Sequence, residues 1–297
     1  MDALAQLGRC LLARGYRFIT TTPETHRRVL ARGPANARDL RDVFGRSKPF
    51  LPDLLAPELL RLLEAAEALE EIGPLRRSKV RFSSLGQLLF AHSAYPTSAA
   101  DAVFFGPDTY RFAALLEARI TARPGRVADV GCGSGAGGLI LAARAESVQL
   151  LDVNPAALRM ARANADLNGL AARTAQSDVL AGAEGPLQLI IANPPYLADE
   201  EGRTYRDGGS ALGTALSARI AREALDRLAP GGRLLLYTAT PVVEGAHLLW
   251  PQLEPLLEQT RFDYRELDPD VFGEELERPA YAQAERIALV ALDACKL

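Results

Sequence analysis

Cysteine, histidine and aromatic residues are all scarce in this sequence. The three cysteines, Cys10, Cys132 and Cys295, lie far apart and share no metal-ligand spacing. They form no disulfide framework by pattern, which favours a reducing, cytoplasmic compartment. The three histidines, His26, His92 and His247, are too dispersed for a His-rich centre, and no metal is expected. Aromatic residues make up 6% of the chain, while Leu and Ala dominate, so helices should be plentiful. No run reaches the roughly 18 apolar residues that cross a bilayer, and no membrane association is expected. Residues 1–15 are broken by Gln6, Arg9 and Arg14 and lack the apolar centre of a signal peptide.

What is present describes a folded chain. Of 297 residues, 48% are hydrophobic and 24% charged, which disfavours disorder and low complexity. The length suits one large domain, or a core domain with an appendage. Charge is unevenly shared: residues 1–90 carry 15 Lys/Arg against 10 Asp/Glu, and the remainder carries 19 against 27. Either the first part meets an acidic partner, with RNA contact one form of it, or this is a solvated face.

The first ninety residues read as helices followed by a hairpin. Leu4, Leu7, Leu11 and Leu12 recur at helical spacing, as do Leu55, Leu59, Leu62, Leu63, Ala66 and Leu69. Pro57 suits a first turn, and Gly73-Pro74 is read as a stop. A strand-like run at 78–82, a turn at Ser83-Ser84 and a return at 87–90 then resemble a winged helix. Arg76, Arg77, Lys79 and Arg81 would decorate it. Such a scaffold serves nucleic-acid and protein partners alike.

From residue 126 strands and helices alternate. Strands are expected at 127–130, 148–153, 187–192, 234–238, 262–267 and 287–292. Helices are expected at 110–120, 137–144, 155–168, 216–228 and 244–257. Uninterrupted apolar strands such as 189–192 are buried on both faces, as in parallel sheets. The expected fold is α/β, a doubly wound Rossmann-like sheet, with a smaller, mainly helical N-terminal domain that ends in a β-hairpin. The boundary is set at 92/93, giving a substrate-recognition domain over 1–92 and a catalytic domain over 93–297.

Three motifs carry the chemistry. Asp129-Val130-Gly131-Cys132-Gly133-Ser134-Gly135 follows the first strand and opens a helix. Its glycines let the backbone turn tightly and approach a ligand, and the helix start offers free N–H groups. Gly131, Gly133 and Ala136 also satisfy the dinucleotide fingerprint, so a nicotinamide or flavin enzyme stays open here. Asp152 ends the second strand, where a carboxylate accepts both hydroxyls of a ribose; Asn154 is better placed than Asp152 to cap the next helix. Asp178 could receive an adenine amino group with Val179 against the ring, or be a loop acid.

The third motif is Asn193-Pro194-Pro195-Tyr196, after an apolar strand. Two prolines stiffen the backbone at the carboxyl end of the strand, where ligands bind in open α/β sheets. The Asn193 side-chain oxygen and a backbone carbonyl can accept both hydrogens of a planar NH₂ group. Tyr196 could stack over that group; in that role phenylalanine would replace it and alanine would not. A nicotinamide oxidoreductase has no use for this corner.

Together these motifs resemble the class I S-adenosylmethionine-dependent N-methyltransferases, and more narrowly the HemK-like, or methyltransferase small domain, group. The resemblance covers about residues 104–250. It implies a seven-stranded sheet and S-adenosyl-L-methionine as cofactor. The implied cofactor contacts are Asp129, Gly131, Gly133, Gly135, Asp152, Val153, Asp178, Val179 and Asn193, and the implied catalytic residues are Asn193, Pro194 and Tyr196. The group includes release-factor glutamine and RNA base methyltransferases. Gly106-Pro107-Asp108-Thr109-Tyr110 is similar to an Arg-Pro-Asp/Glu-Thr-Glu segment of the glutamine enzymes, from which Gly106 and Tyr110 depart. The N-terminal helices, the hairpin and Tyr205-Arg206-Asp207-Gly208-Gly209 resemble a branch with a winged-helix-like N-terminal domain. The favoured acceptor is a protein glutamine; an exocyclic amine of RNA or DNA, or a small molecule, is the alternative. The loop over 197–214 is polar and rich in glycine, either a lid or a surface connection.

Overall fold

A computed structural model describes residues 2–198, 203 and 205–297. In chain order the helices are α1 (Ala3–Ala13), α2 (Pro23–Ala31), α3 (Leu40–Phe44), α4 (Pro57–Ala65), α5 (Pro107–Arg119), α6 (Ala136–Ala142), α7 (Pro155–Asn168), α8 (Ala215–Arg227) and α9 (Trp250–Leu253). The strands are β1 (Leu69–Ile72), β2 (Leu75–Ser78), β3 (Val80–Leu85), β4 (Leu88–Ser93), β5 (Arg126–Val130), β6 (Ser147–Asp152), β7 (Arg173–Gln176), β8 (Leu187–Ala192), β9 (Leu228–Val243), β10 (Ala246–His247), β11 (Thr260–Asp268) and β12 (Arg286–Lys296).

Seven strands form the central sheet in the order β11-β12-β9-β8-β5-β6-β7, with short β10 attached to β9. Strands β7, β6, β5, β8 and β9 pair in parallel. The β12 strand pairs antiparallel with both β9 and β11. Successive residues of a strand face opposite sides of the sheet. Accordingly Val127, Leu189, Ile191 and Leu235 pack with α5, α6 and α7, while Ala128, Ile190, Ala192 and Leu234 pack with α8. Both faces are covered, which explains the uninterrupted apolar runs of β8 and β9. The expected doubly wound fold is the observed one.

The N-terminal region has its own core, in which Leu7, Leu11, Phe44, Phe50, Leu59, Leu63, Phe82 and Leu89 meet. Its strands differ from the expected ones. The chain makes two hairpins, β1–β2 and β3–β4. Leu69 fits the helical spacing of α4, but the helix ends at Ala65 and Leu69 starts β1. Gly73-Pro74 is therefore a hairpin turn, and Glu70 and Glu71 lie opposite Arg77 and Arg76. Ser83 and Ser84 do not turn the chain. They lie within β3, where Ser83 Oγ is 2.5 Å from Thr20 Oγ1 and 2.7 Å from His92 Nε2. The turn falls at Gly86, whose φ of +57° suits glycine. The expected helix over 244–257 is also corrected: a turn at Glu244-Gly245 leads into β10, and only Trp250–Leu253 is α-helical.

Helix α7 joins the two cores. Leu167 sits in the N-terminal core, and a Cβ at Gly8 of α1 would lie 2.6 Å from its side chain. Asn164, fully buried, donates Nδ2 to the carbonyls of Ala91 (3.0 Å) and Ser134 (2.9 Å) and accepts from the Ala91 N–H (2.7 Å). One turn on, Asn168 donates to the Leu89 carbonyl (2.9 Å) and accepts from its N–H (3.1 Å). The two amides satisfy the outer edge of β4, and Asn164 ties that edge to the glycine loop at Ser134. Asn164→Ala leaves three backbone groups without this partner and is expected to cost about 2–4 kcal/mol, each unmet buried group costing roughly 1–3 kcal/mol. Denaturant unfolding checks this; a loss under about 0.5 kcal/mol, the scale of ordinary surface substitutions, would contradict it.

Among the described residues, no helix is long and apolar enough to cross a membrane, and no cluster of His, Cys, Asp or Glu is arranged to hold a metal.

Candidate active site

The parallel strands end along one edge of the sheet, and the loops that follow them line a cleft open to solvent. After β5, Gly131, Gly133 and Gly135 adopt φ of +67°, +54° and +80°. A Cβ at Gly131 or Gly133 would meet no protein atom within 4 Å, so both border open space in the cleft wall. The left-handed backbone is what requires glycine there. It turns the Gly133 N–H onto the Asp152 carboxylate, 2.9 Å away.

Asp152 ends β6 and is 9% exposed. Its second oxygen accepts from the Asn154 N–H at 2.9 Å. Two backbone donors thus fix the carboxylate at the cleft wall, against burial that raises its pKa. Asn154 caps α7 as expected, accepting from the Ala156 N–H at 2.9 Å. Val153 is exposed in the same wall. A buried acceptor beside an open glycine turn fits the ribose of an adenosyl cofactor.

Asp129 lies under the turn, 2% exposed, and accepts from the Gly138 N–H of α6 at 2.7 Å. Burial pushes its carboxyl up to about 7, opposed by that hydrogen bond and aided by the Asp152 charge. The unfolded chain releases this proton near pH 4. Between those values the folded protein keeps a proton that the unfolded chain has lost, so stability falls as pH rises from about 4 to 7. Asp129→Asn abolishes the titration. Its stability should rise relative to wild type by roughly 2–4 kcal/mol between pH 4 and pH 8. Urea titrations at the two pH values measure this, and a pH-independent difference would contradict it.

Asp178 and Val179 follow β7 and also line the cleft. Val179 is buried, but Asp178 is exposed and paired with Arg219 through two bonds of 2.8 Å. That guanidinium holds the Asp178 carboxyl below its usual range.

Asn193, Pro194 and Pro195 follow β8 and line the cleft. Tyr196 differs from its expected place. Its ring is 8% exposed, packs against Phe272 with centroids 5.9 Å apart, and does not line the cleft. Burial, and then the Asp108 carboxylate, raise its hydroxyl pKa well above the ordinary value. The aromatic residues lining the cleft are Phe112, Phe104 and Tyr205, the last two stacked 4° from parallel with centroids 5.8 Å apart. The Tyr205 hydroxyl donates to the Thr97 carbonyl at 2.7 Å. In the sequence Tyr205 stands only within the Tyr205–Gly209 motif, and Phe104 carries no role.

The chain beyond Tyr196 is fastened to the corner it leaves. Leu197 N–H donates to the Arg206 carbonyl (3.2 Å) and Gly208 N–H to the Leu197 carbonyl (2.8 Å). Gly213, at φ +88°, lies so close that a Cβ would be 2.5 Å from the Tyr196 carbonyl oxygen. Arg206 pairs with buried Glu275. Residues 199–202 and 204 of this loop, on which the expected lid depends, lie outside the described residues.

The supposed basic hairpin is largely neutralised. Arg76 pairs with Glu71 at 2.9 Å and Arg77 with Glu70 at 2.8 Å. Arg81 is 4% exposed and donates to the Ser93 carbonyl at 3.2 Å. Among the four, Lys79 alone is exposed without a carboxylate partner among the described residues.

Residues 110–244 match the family described as Methyltransferase small domain. Over this stretch the chain is similar to the HemK-like group of class I S-adenosylmethionine-dependent methyltransferases. S-adenosylmethionine is the cofactor of that group. Two curated relatives carry different names. The release factor glutamine methyltransferase of Deinococcus radiodurans is 40% identical over 156 residues, 47% of this chain and 55% of that one. The ribosomal RNA small subunit methyltransferase C of Chromohalobacter salexigens is 36% identical over 111 residues, 37% of this chain and 30% of that one. The chain thus spans about half or less of these relatives. In fold, the chain is similar to Trm5b from Pyrococcus abyssi, with TM-score 0.51 and 18% identity over 80% of this chain and 68% of the other.

Proposed function

We propose that this methyltransferase transfers a methyl group to the nitrogen of a planar amide, with a protein glutamine as the favoured acceptor. The observation that carries this reading is Asn193-Pro194-Pro195 in the wall of the same cleft as Asp152 and the glycine turn. S-adenosylmethionine, when bound, supplies an electrophilic methyl on a sulfonium whose leaving group is a neutral thioether. The protein therefore needs no acid for departure. Its task is to hold the acceptor nitrogen in line, and such positioning lowers a barrier by several kcal/mol.

An amide nitrogen is a weak nucleophile because its lone pair is delocalised. In this reading the Asn193 side-chain oxygen and the Pro194 carbonyl accept the two NH₂ hydrogens and stabilise the positive charge that develops at nitrogen as the N–CH₃ bond forms and the S–CH₃ bond breaks, after which one of those hydrogens leaves as a proton to solvent. Pro194 and Pro195 hold both acceptors without competing N–H donors. Phe104 and Tyr205 offer flat apolar surface to the planar group. Asp178 takes the adenine amino group while keeping its bond to Arg219, with Val179 and Val153 lining the ring site. Residues 1–92 form the recognition domain.

Two observations favour protein over nucleic acid. The hairpin arginines are paired or buried, and the relative named a release factor glutamine methyltransferase matches a longer stretch at higher identity than the ribosomal RNA one. That second relative supports an alternative acceptor, the exocyclic amine of an RNA base. The test uses S-adenosylmethionine labelled in the methyl group and a cell extract. Label destroyed by protease and spared by nuclease is expected; label destroyed by nuclease alone would transfer the proposal to RNA or DNA.

A further inference from the structure

Strands β11 and β12 are antiparallel neighbours, a pair that a turn of about two to five residues can join. Residues 269–285 lie between them instead, with 3₁₀ turns at Gly273–Glu277 and Pro279–Tyr281. A connection this long needs a reason beyond closing the hairpin. It is fixed at both ends. Val271 N–H donates to the Ile287 carbonyl and Glu285 N–H to the Val242 carbonyl, each at 2.8 Å. Val271 and Tyr281 are buried in the same core cluster as Tyr196 and Leu197.

Three contacts join this insertion to the chain around the Asn193 corner. The Phe272 ring meets the Tyr196 ring, with centroids 5.9 Å apart. The Tyr281 hydroxyl accepts from the Ala198 N–H at 2.8 Å. Glu275, 3% exposed, pairs with Arg206, and Arg278 Nε lies 2.9 Å from its other oxygen. Arg206 is the residue that closes the loop: its carbonyl accepts from the Leu197 N–H, and it directly follows Tyr205, which lines the cleft. Phe272 has φ of +59°, a left-handed conformation that a bulky side chain rarely adopts. Such a residue persists only where its surroundings impose it, and residues of this kind gather at functional sites. A buried ion pair is likewise a poor choice for stability alone, since apolar side chains of similar size do as well. What the Glu275–Arg206 pair supplies is a fixed direction for Arg206.

We propose that residues 269–285 are a positioning element for methyl transfer, with Glu275 as its central residue. By holding Arg206 it fixes Leu197 behind the Asn193–Tyr196 corner and sets Tyr205 in the cleft wall. This rests on the reading of Asn193 as the acceptor-holding residue. Glu275 and Tyr281 stand outside the residues that line the cleft, so both act through others. Asp152 and the glycine turn follow β6 and β5, away from these contacts. Damage to the insertion therefore falls on transfer and spares cofactor binding.

The test measures initial rates from methyl-labelled S-adenosylmethionine, at saturating concentration, to protein and RNA fractions of a cell extract. The variants are Glu275→Ala, Glu275→Gln, Arg206→Ala, the Glu275→Ala/Arg206→Ala pair and Tyr281→Phe. Calorimetry gives cofactor affinity, and hydrogen–deuterium exchange reads the Leu197, Ala198 and Gly208 amides. Glu275→Ala and Arg206→Ala should each lower turnover about tenfold or more, the scale of a misaligned reacting group, with cofactor affinity unchanged. The double variant should be no slower than the slower single one, because both changes break one contact. Glu275→Gln, which keeps an oxygen acceptor without the charge, should fall between wild type and alanine. Exchange should rise at Leu197 and Gly208 and stay at the wild-type level in β5 and β6. If Glu275→Ala does not fold, Tyr281→Phe decides: it should speed exchange at Ala198 and slow transfer, and wild-type values of both would overturn the proposal. Multiplicative losses in the double variant, cofactor affinity falling as far as the rate, or exchange rising throughout the sheet would also overturn it. Full activity of Glu275→Ala beside an inactive Asn193→Ala would overturn the proposal and leave the reading of Asn193 standing. Full activity of Asn193→Ala would overturn that reading and this proposal with it.

Discussion

Asn193→Ala is expected to lower methyl transfer by about a hundredfold or more, the scale for losing one preorganised polar contact in a transition state. Cofactor affinity should hardly change, since in this account the amide oxygen serves the acceptor. The residue follows β8 at the cleft wall, and the two prolines after it keep its surroundings in place when the side chain is shortened. A fall in turnover with unchanged calorimetric affinity is the expected pattern. Asn193→Asp sharpens the test, because it keeps an oxygen acceptor while adding charge. It should retain more activity than alanine. Equal loss in both variants would mean that shape, and not hydrogen-bond acceptance, is what the corner supplies.

The second large effect belongs to Asp152. Its carboxylate is fixed by the Gly133 and Asn154 N–H groups, and in the proposed reading it accepts the hydroxyls of the cofactor ribose. Asp152→Ala removes the acceptor for two hydroxyls and should weaken S-adenosylmethionine binding by about 1.5–3 kcal/mol, roughly 10- to 150-fold. Alanine also frees the two N–H groups that hold the turn. Asp152→Asn, which still offers one oxygen, separates the two losses and should bind with intermediate affinity. Calorimetry that gives wild-type affinity for Asp152→Ala would remove the ribose assignment.

The catalytic fold was legible because both faces of its sheet are covered. Apolar runs such as β8 have few other uses in a chain of this composition, and the glycines after β5 marked where the first strand ends. The N-terminal hairpins were less legible because their decisive contacts are between distant residues. Ser83 has turn chemistry, yet Thr20 and His92 hold it inside a strand. Leu69 has the right spacing for α4, yet the chain turns at Ala66 and its neighbours Glu70 and Glu71 find Arg77 and Arg76 across a hairpin.

The site shows the same division. Asp152 and Asn193 could be placed from their strand ends alone. The side chains that surround them could not. Tyr196 has the residue type of a stacking platform, but Phe272, 76 residues on in the chain, packs against its ring. Tyr205 and Phe104 meet across a hundred residues, and no periodicity relates them.

The most direct test of nitrogen methylation at the Asn193 corner is the chemical form of the transferred methyl. Protein from an extract treated with enzyme and methyl-labelled S-adenosylmethionine is hydrolysed in acid, which cleaves an N-methyl amide side chain to a free carboxyl group and methylamine. The account predicts labelled methylamine from wild type and almost none from Asn193→Ala. Label released by mild base as methanol, the mark of a methyl ester, and equal in both proteins, would contradict it.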